Sequence, residues 1–243
     1  MKIIAMIPAR YAATRFPGKL VADLGGKPVI VRTYEAALKT GLFEEVIIVT
    51  DSDIIEEAVR SCGAPVVRST KDHECGTDRI AEAAEHSDAD IILNIQGDEP
   101  FVNKDALEKL LAVFKGSDAE QIDLASLMQE MTNPGDIADP NFVKVVTGID
   151  DFALYFSRSP IPYPREKETA VKYYEHIGVY AFRKQALMDF YRLPVTPLEA
   201  TEKIECNRFL EYGKKIKMVT SAYIGVEIDT PEDLLRAEAF LEK

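Results

Sequence analysis

Cysteine is scarce. Cys62, Cys75 and Cys206 are the only three in 243 residues, an odd number with no close pairing pattern. That excludes a disulfide-stapled scaffold and fits free thiols in a reducing compartment. Long apolar runs are missing too. The N-terminal run Ile3-Ile4-Ala5-Met6-Ile7 stops at Pro8 and Arg10, too short for a signal-peptide core, and no segment reaches bilayer length. A soluble cytoplasmic protein is therefore expected. Basic residues are outnumbered, 29 Lys and Arg against 41 Asp and Glu, so the formal net charge is -12. An acidic surface repels nucleic acid and anionic membrane, and neither is an expected partner. A local basic pocket stays possible. The dinucleotide fingerprint G-x-G-x-x-G and the P-loop pattern are both absent after the first strand, which disfavours those two nucleotide-binding folds. Histidine is rare, and the His73-Glu74-Cys75 loop lacks the further ligands of a zinc site. No repeat, low-complexity tract or recognisable catalytic triad is visible.

What remains is ordinary globular composition, 47% hydrophobic and 29% charged, at a length that suits one large α/β domain or a domain with an appendage. Buried-strand runs are expected at residues 3–7, 46–50, 65–68 and 91–95, and helices at 28–39, 53–62, 77–85 and 105–114. Strand and helix thus alternate through the first half, which predicts a mainly parallel, doubly wound sheet. Between about 118 and 182 the pattern changes to short strand-like runs, 124–128, 143–147, 153–156 and 177–182, separated by Pro-rich loops. With no flexible linker, this stretch reads as a mixed-sheet extension of a single domain spanning 1–243. Helices at 184–191 and 198–212, a strand at 216–221 and a last helix opened by Thr230-Pro231-Glu232-Asp233 complete the reading.

Ligands of open α/β sheets bind beyond the carboxyl ends of strands. Three cations, Arg10, Arg15 and Lys19, follow the first strand there, which makes sense for a polyphosphate ligand. Asp98, at the end of the strand 91–95, and Asp229, at another strand-to-helix junction, could share a hard cation such as Mg2+. Each could equally be a capping or loop acid. His176 opens the strand at 177–182, where a lone histidine is more often structural, and His86 reads as a surface helix residue. Phe156, Tyr180 and Phe182 read as core.

The motifs together resemble the 3-deoxy-manno-octulosonate cytidylyltransferase (CMP-Kdo synthetase) family of bacterial lipopolysaccharide biosynthesis. The matching stretches are Ile7-Pro8-Ala9-Arg10-Tyr11, Arg15-Phe16-Pro17-Gly18-Lys19, Gly76-Thr77-Asp78-Arg79, Asn94-Ile95-Gln96-Gly97-Asp98-Glu99-Pro100, the run from Ala153 to Pro162, His176-Ile177-Gly178-Val179-Tyr180 and Asp229-Thr230-Pro231-Glu232-Asp233-Leu234. They run in order over nearly the whole chain. The resemblance implies a Rossmann-like sheet of the nucleotide-diphospho-sugar transferase type. It implies transfer of CMP from CTP to the anomeric hydroxyl of a 3-deoxy-2-ulosonic acid, with release of pyrophosphate. Mg2+ would be held by Asp98 and Asp229, with Arg10, Arg15 and Lys19 around the triphosphate. The nucleotide would be received by Pro8, Ala9 and Arg10 of the first loop, Lys19, the Gly76, Thr77 and Arg79 turn, Gln96 and Asp98. The sugar would meet Arg158, for its carboxylate, with His176, Tyr180, Glu205 and the position of Cys206. A homodimer formed through the extension is also implied.

One departure stands out. The family usually has Glu-Gln-Leu-Arg where this chain has Glu205-Cys206-Asn207-Arg208. A thiol is a weak donor and poor acceptor, so replacing the amide can retune the choice of sugar, for example toward an 8-amino relative of Kdo. Alternatively Asn207 covers for it and the exchange is neutral. A nucleotidyltransferase for another acid sugar, and a catalytically silent nucleotide-sugar binding protein, are the competing readings. The second predicts loss of Lys19 or of the metal carboxylates, all of which are present.

Overall fold

Four strands and their partner helices carry the first half of the computed structural model, which describes residues 1–12, 16–71, 73, 75–166, 170–222 and 226–241. In chain order the elements are β1 (Ile3–Ala9), α1 (Val29–Thr40), β2 (Glu45–Thr50), α2 (Asp53–Arg60), β3 (Val66–Arg68), α3 (Gly76–Ala84), β4 (Ile91–Asn94), α4 (Lys104–Ala112) and β5 (Leu124–Met131). Then follow α5 (Pro134–Ala138), β6 (Lys144–Thr147), β7 (Ala153–Ser157), β8 (Tyr173–Arg183), α6 (Lys184–Arg192), α7 (Pro197–Glu202), α8 (Cys206–Glu211), β9 (Ile216–Thr220) and α9 (Pro231–Leu241). The chain divides into two compact units, Met1–Lys104 with Ile224–Lys243, and Asp105–Tyr223.

In the first unit, β1 pairs in parallel with β2 and with β4, and β2 with β3. β1, β2 and β4 are apolar over most of their length because helices cover both faces of a parallel sheet, while the short edge strand β3 is partly exposed. Ile4, Ala5, Met6, Ile7, Ile48, Val49 and Leu93 are almost wholly buried. Start and stop signals behave as the sequence predicts. Pro28 caps α1 at its start, and Gly41 ends it in the left-handed region at φ 67°. Ser52 caps α2, its side chain accepting from the Ile55 N–H. The helix expected at 105–114 gives way to a 3-10 turn over Val113–Lys115. His86 lies in an exposed turn after α3 rather than on a helix.

The second unit is mixed: β5 runs antiparallel to β8 and parallel to β9, while β6 and β7 form an antiparallel pair. β8 begins at Tyr173, earlier than its apolar run. Its polar first half, Tyr173 to His176, is held by pairing with Gln129 to Met131 and Met128 of β5. The helix expected over 198–212 is two helices. α7 ends at Lys203, which takes the left-handed conformation at φ 56°, and α8 restarts at Cys206. Two side chains hold that break. Arg158 donates from Nε to the Glu202 carbonyl at 2.7 Å, and the fully buried Asn207 pairs its amide with the main chain of Phe156, donating at 3.1 Å and accepting at 3.4 Å.

Candidate functional site

The first unit contains a cavity of about 380 Å³ beyond the carboxyl ends of β1 and β4. Its lining includes Pro8, Ala9, Arg10, Lys19, Gly76, Arg79, Gln96, Asp98 and Asp229, so most residues implied for the nucleotide and metal do meet in one place. Thr77 is the exception: it is buried in the first turn of α3, where its hydroxyl accepts from Asn94 Nδ2 at 3.4 Å. Arg15 lies outside the described residues.

Backbone packing brings the distant pieces together. Gly97 follows β4 so closely beneath Pro8 that a Cβ there would stand 3.1 Å from the Pro8 carbonyl oxygen. Its own carbonyl accepts from Thr33 Oγ1 of α1 at 2.8 Å. The Ile228 N–H donates to the Asp98 carbonyl at 3.0 Å, which lays the segment before α9 alongside the end of β4 and sets Asp229 next to Asp98. Asp229 is then fixed from the other side. Thr230 and Asp233 form a capping box, Thr230 N–H donating to Asp233 Oδ2 at 2.8 Å and Asp233 N–H to Thr230 Oγ1 at 3.3 Å. The same Oδ2 accepts the Asp229 N–H at 3.1 Å.

Lys19 enters from the first loop. Gly18 before it is left-handed, φ 75°, a conformation open to glycine without strain, and a 3-10 turn over Lys19–Val21 follows. The Lys19 ammonium donates to Asp98 and, at 2.7 Å, to Asp229 Oδ1. Burial works against the ammonium, yet the attraction of Asp98 and Asp229 outweighs it and holds the Lys19 pKa above its ordinary value. Glu227 joins these acids: one carboxylate oxygen each from Asp98, Glu227 and Asp229 all lie within 4.8 Å of one another. A set of hard oxygen donors of this kind suits Mg2+ rather than a soft metal.

Arg79 supplies a second cation to the cavity. It is almost wholly buried, and its Nη2 donates to Asp51 Oδ2 at 3.0 Å. Burial pushes the Asp51 carboxyl up, but the Arg79 hydrogen bond and charge prevail and hold it below the usual range. Arg79 lines the cavity, and its Nη1 is buried with no hydrogen-bond partner among the described residues. His73 also lines the cavity, with Nε2 2.7 Å from Glu82 Oε2. Burial raises the Glu82 carboxyl, but donors from Thr70, His73 and Ser69 bring its pKa down to about 2. Neither His73 nor Glu227 was identifiable from spacing. His73 sits in an irregular loop, and Glu227 is one acid among 41.

The residues implied for the sugar all belong to the second unit. His176 is wrapped by rings, Phe156 at 4.9 Å and Tyr180 at 5.5 Å between centroids, and its Nε2 is 3.0 Å from Ser126 Oγ. Burial alone depresses its pKa to about 4, so it is neutral at pH 7. A bulge between Ser126 and Leu127 interrupts the β5–β8 ladder beside it. Cys206 is buried, 1% exposed, next to Tyr180, and burial drives its thiol pKa well above the ordinary value. The Asn207 amide is committed to Phe156, so it cannot stand in for an amide at position 206. Glu205 takes the N-cap position of α8. Arg158 points its fork at main-chain carbonyls, Glu202 at 2.7 Å, Pro140 at 2.8 Å and Lys203 at 3.4 Å, and so braces the break between α7 and α8.

Comparison with known proteins gives a consistent result. A family model described as cytidylyltransferase matches residues 4–216. A 3-deoxy-manno-octulosonate cytidylyltransferase of Christiangramia forsetii is 62% identical, over 99% of this chain and 97% of its own. That of Flavobacterium johnsoniae is 60% identical, over 99% of each. A solved structure of CMP:2-keto-3-deoxy-manno-octonic acid synthetase complexed with CTP matches with a TM-score of 0.93 and 38% identity, over 100% of this chain and 99% of that one. At 19% identity and a TM-score of 0.65, a 4-diphosphocytidyl-2C-methyl-D-erythritol synthase from Anaerococcus prevotii shares the fold.

Proposed function

This chain belongs to the 3-deoxy-manno-octulosonate cytidylyltransferase family, and on that premise we propose that it transfers CMP from CTP to the anomeric hydroxyl of 3-deoxy-manno-octulosonate, releasing pyrophosphate for lipopolysaccharide biosynthesis. The observation that carries the reading is the meeting of Lys19, Asp98 and Asp229 in a cavity also lined by Arg10 and Arg79.

In this reading the hydroxyl oxygen attacks the α-phosphorus and the bond to the pyrophosphate oxygen breaks. Phosphoryl and nucleotidyl transfer depend on positioning and on stabilising charge, not on a side-chain nucleophile. Lys19 and Arg10 neutralise charge that grows on the departing pyrophosphate. Arg79, held by Asp51, adds positive charge to the wall of the cavity that receives the nucleotide. Gly76 at the start of α3 and Gly97 after β4 pack closely against Pro8, which sets the cavity wall. Asp98 and Asp229 would hold Mg2+, with Glu227 within reach. When bound, that ion supplies Lewis-acid polarisation of phosphate and hydroxyl oxygens. Neutral His176 and the braced Arg158 belong to the acceptor's side of the reaction.

Two further expectations attach to this reading. The extension carries exposed apolar side chains, Ile149, Leu154 and Tyr163, which suits a homodimer formed through it. Cytoplasmic placement accords with the absence of disulfides among the described cysteines and with the lack, among the described residues, of any helix long and apolar enough to cross a membrane. The buried thiol at position 206 favours a second acceptor, the 8-amino analogue, as worth direct comparison.

The test is pyrophosphate release from CTP and Mg2+ with a panel of ulosonic acids. Release with 3-deoxy-manno-octulosonate that collapses in Asp98→Asn supports the assignment. No release with any ulosonate would overturn it. Preference for the 8-amino sugar moves the acceptor, and a clear preference for the parent sugar removes that second acceptor.

A further inference from the structure

The Lys19 ammonium stands where the two acids converge, donating to Asp98 and to Asp229 at 2.7 Å. All three side chains are largely shielded, 14% exposed for Lys19, 15% for Asp98 and 25% for Asp229. Two carboxylates close enough to share one nitrogen repel each other in such a setting, and the repulsion needs a cation to offset it. Glu227 adds a third negative charge nearby. A phosphate contact alone would not require Lys19 to touch either acid.

We propose that Lys19 is the resident counter-ion of the metal site: it holds Asp98 and Asp229 together, and a divalent cation that binds these acids competes with it. The proposal rests on the reading that these two aspartates hold the metal. An ammonium and a divalent cation held by the same two carboxylates repel each other at close range, so the two compete. The flexible four-carbon stem of lysine lets the displaced ammonium move to a new anionic partner. A triphosphate in the same cavity is such a partner. Lys19 then weakens metal binding to the protein alone, and nucleotide relieves that weakening, so metal and CTP favour each other's binding by linkage.

The experiment is a titration of Mn2+, as a spectroscopic stand-in for Mg2+, against the protein without nucleotide. Free Mn2+ is read by electron paramagnetic resonance. Wild type, Lys19→Met, Lys19→Gln and Asp98→Asn are compared, with circular dichroism checking that each is folded. Removing the competing ammonium is expected to tighten Mn2+ binding by about tenfold in both Lys19 variants, while Asp98→Asn loses it. Mn2+ should also raise the melting temperature of Lys19→Met by more than that of wild type, because the metal replaces the missing counter-ion. Unchanged or weaker Mn2+ binding in both Lys19 variants, with loss in Asp98→Asn, overturns the counter-ion role and leaves the metal assignment standing. No saturable Mn2+ binding by wild type or by either Lys19 variant overturns the metal assignment, and this inference with it.

Discussion

The Asp229 main-chain N–H donates to the Asp233 carboxylate at 3.1 Å, and the same oxygen takes the Thr230 N–H at 2.8 Å and the Thr230 hydroxyl at 2.9 Å. A helix cap and the positioning of a candidate metal ligand are therefore one structure. Asp233→Ala strips an acceptor from three donors and should cost about 1–3 kcal/mol in urea unfolding, together with a fall in pyrophosphate release. Asp233→Asn keeps one acceptor oxygen and should lose less of both.

Arg79 differs from the other cavity cations in being buried, its Nη1 without a hydrogen-bond partner among the described residues. Arg79→Lys keeps the charge but loses the fork. Its Kd for CTP, measured by calorimetry, should rise about tenfold, equivalent to about 1.4 kcal/mol. An unchanged Kd would remove Arg79 from the nucleotide's contacts.

Gly97→Ala places a Cβ 3.1 Å from the Pro8 carbonyl oxygen, 3.2 Å from Ile30 Cδ1 and 3.3 Å from Leu20 Cδ1. Main chain cannot yield as a side-chain tip can, so denaturant unfolding should show a loss of about 1–3 kcal/mol. Gly178→Ala meets nothing within 4 Å and should change stability by less than about 0.5 kcal/mol.

His176 has a folded pKa of about 4 against an ordinary 6.5, because burial disfavours its charged form. The unfolded chain takes up the proton first as pH falls. The contribution from neutral His176 is therefore complete above about pH 6.5 and is lost as pH falls from there toward 4. Glu82, with a folded pKa of about 2 against an ordinary 4.5, acts in a lower window, its contribution fading below about 4.5. Stability profiles of wild type and His176→Gln should diverge in slope between about pH 6.5 and 4 and run parallel below. Parallel profiles throughout would show that His176 protonates freely in the folded protein.

The elements most legible in the sequence are those whose signal is local. β1, β2 and β4 are apolar because both faces are buried, and α1 and α9 announce themselves by Pro, Gly and a Thr–Asp capping box. The break at Lys203 carries no such mark. A left-handed lysine is uncommon, and the partners that hold the break, among them Arg158, Ser157 and Asn207, lie far from it in sequence or are hidden in the expected helix. The polar start of β8 is likewise a product of pairing with β5, which no alternation in Tyr173-Tyr174-Glu175-His176 reveals. In the candidate site, Arg10, Lys19, Asp98 and Asp229 could be picked out because strand ends are where this kind of fold delivers ligands. Their sharing of one ion could be proposed from strand-end placement, but the Ile228-to-Asp98 hydrogen bond that joins them links distant positions and leaves no local mark. His73 enters the cavity through Glu82, a partner that spacing does not disclose.

The side chain of Asn207 behaves as a borrowed piece of strand, completing the ladder edge at Phe156 in place of a peptide group. That anchors the start of α8 independently of whatever occupies the preceding position. Position 206 is thereby free to exchange thiol for amide without dragging the helix along. The scaffold at the start of α8 is thus set by Asn207 rather than by its neighbour.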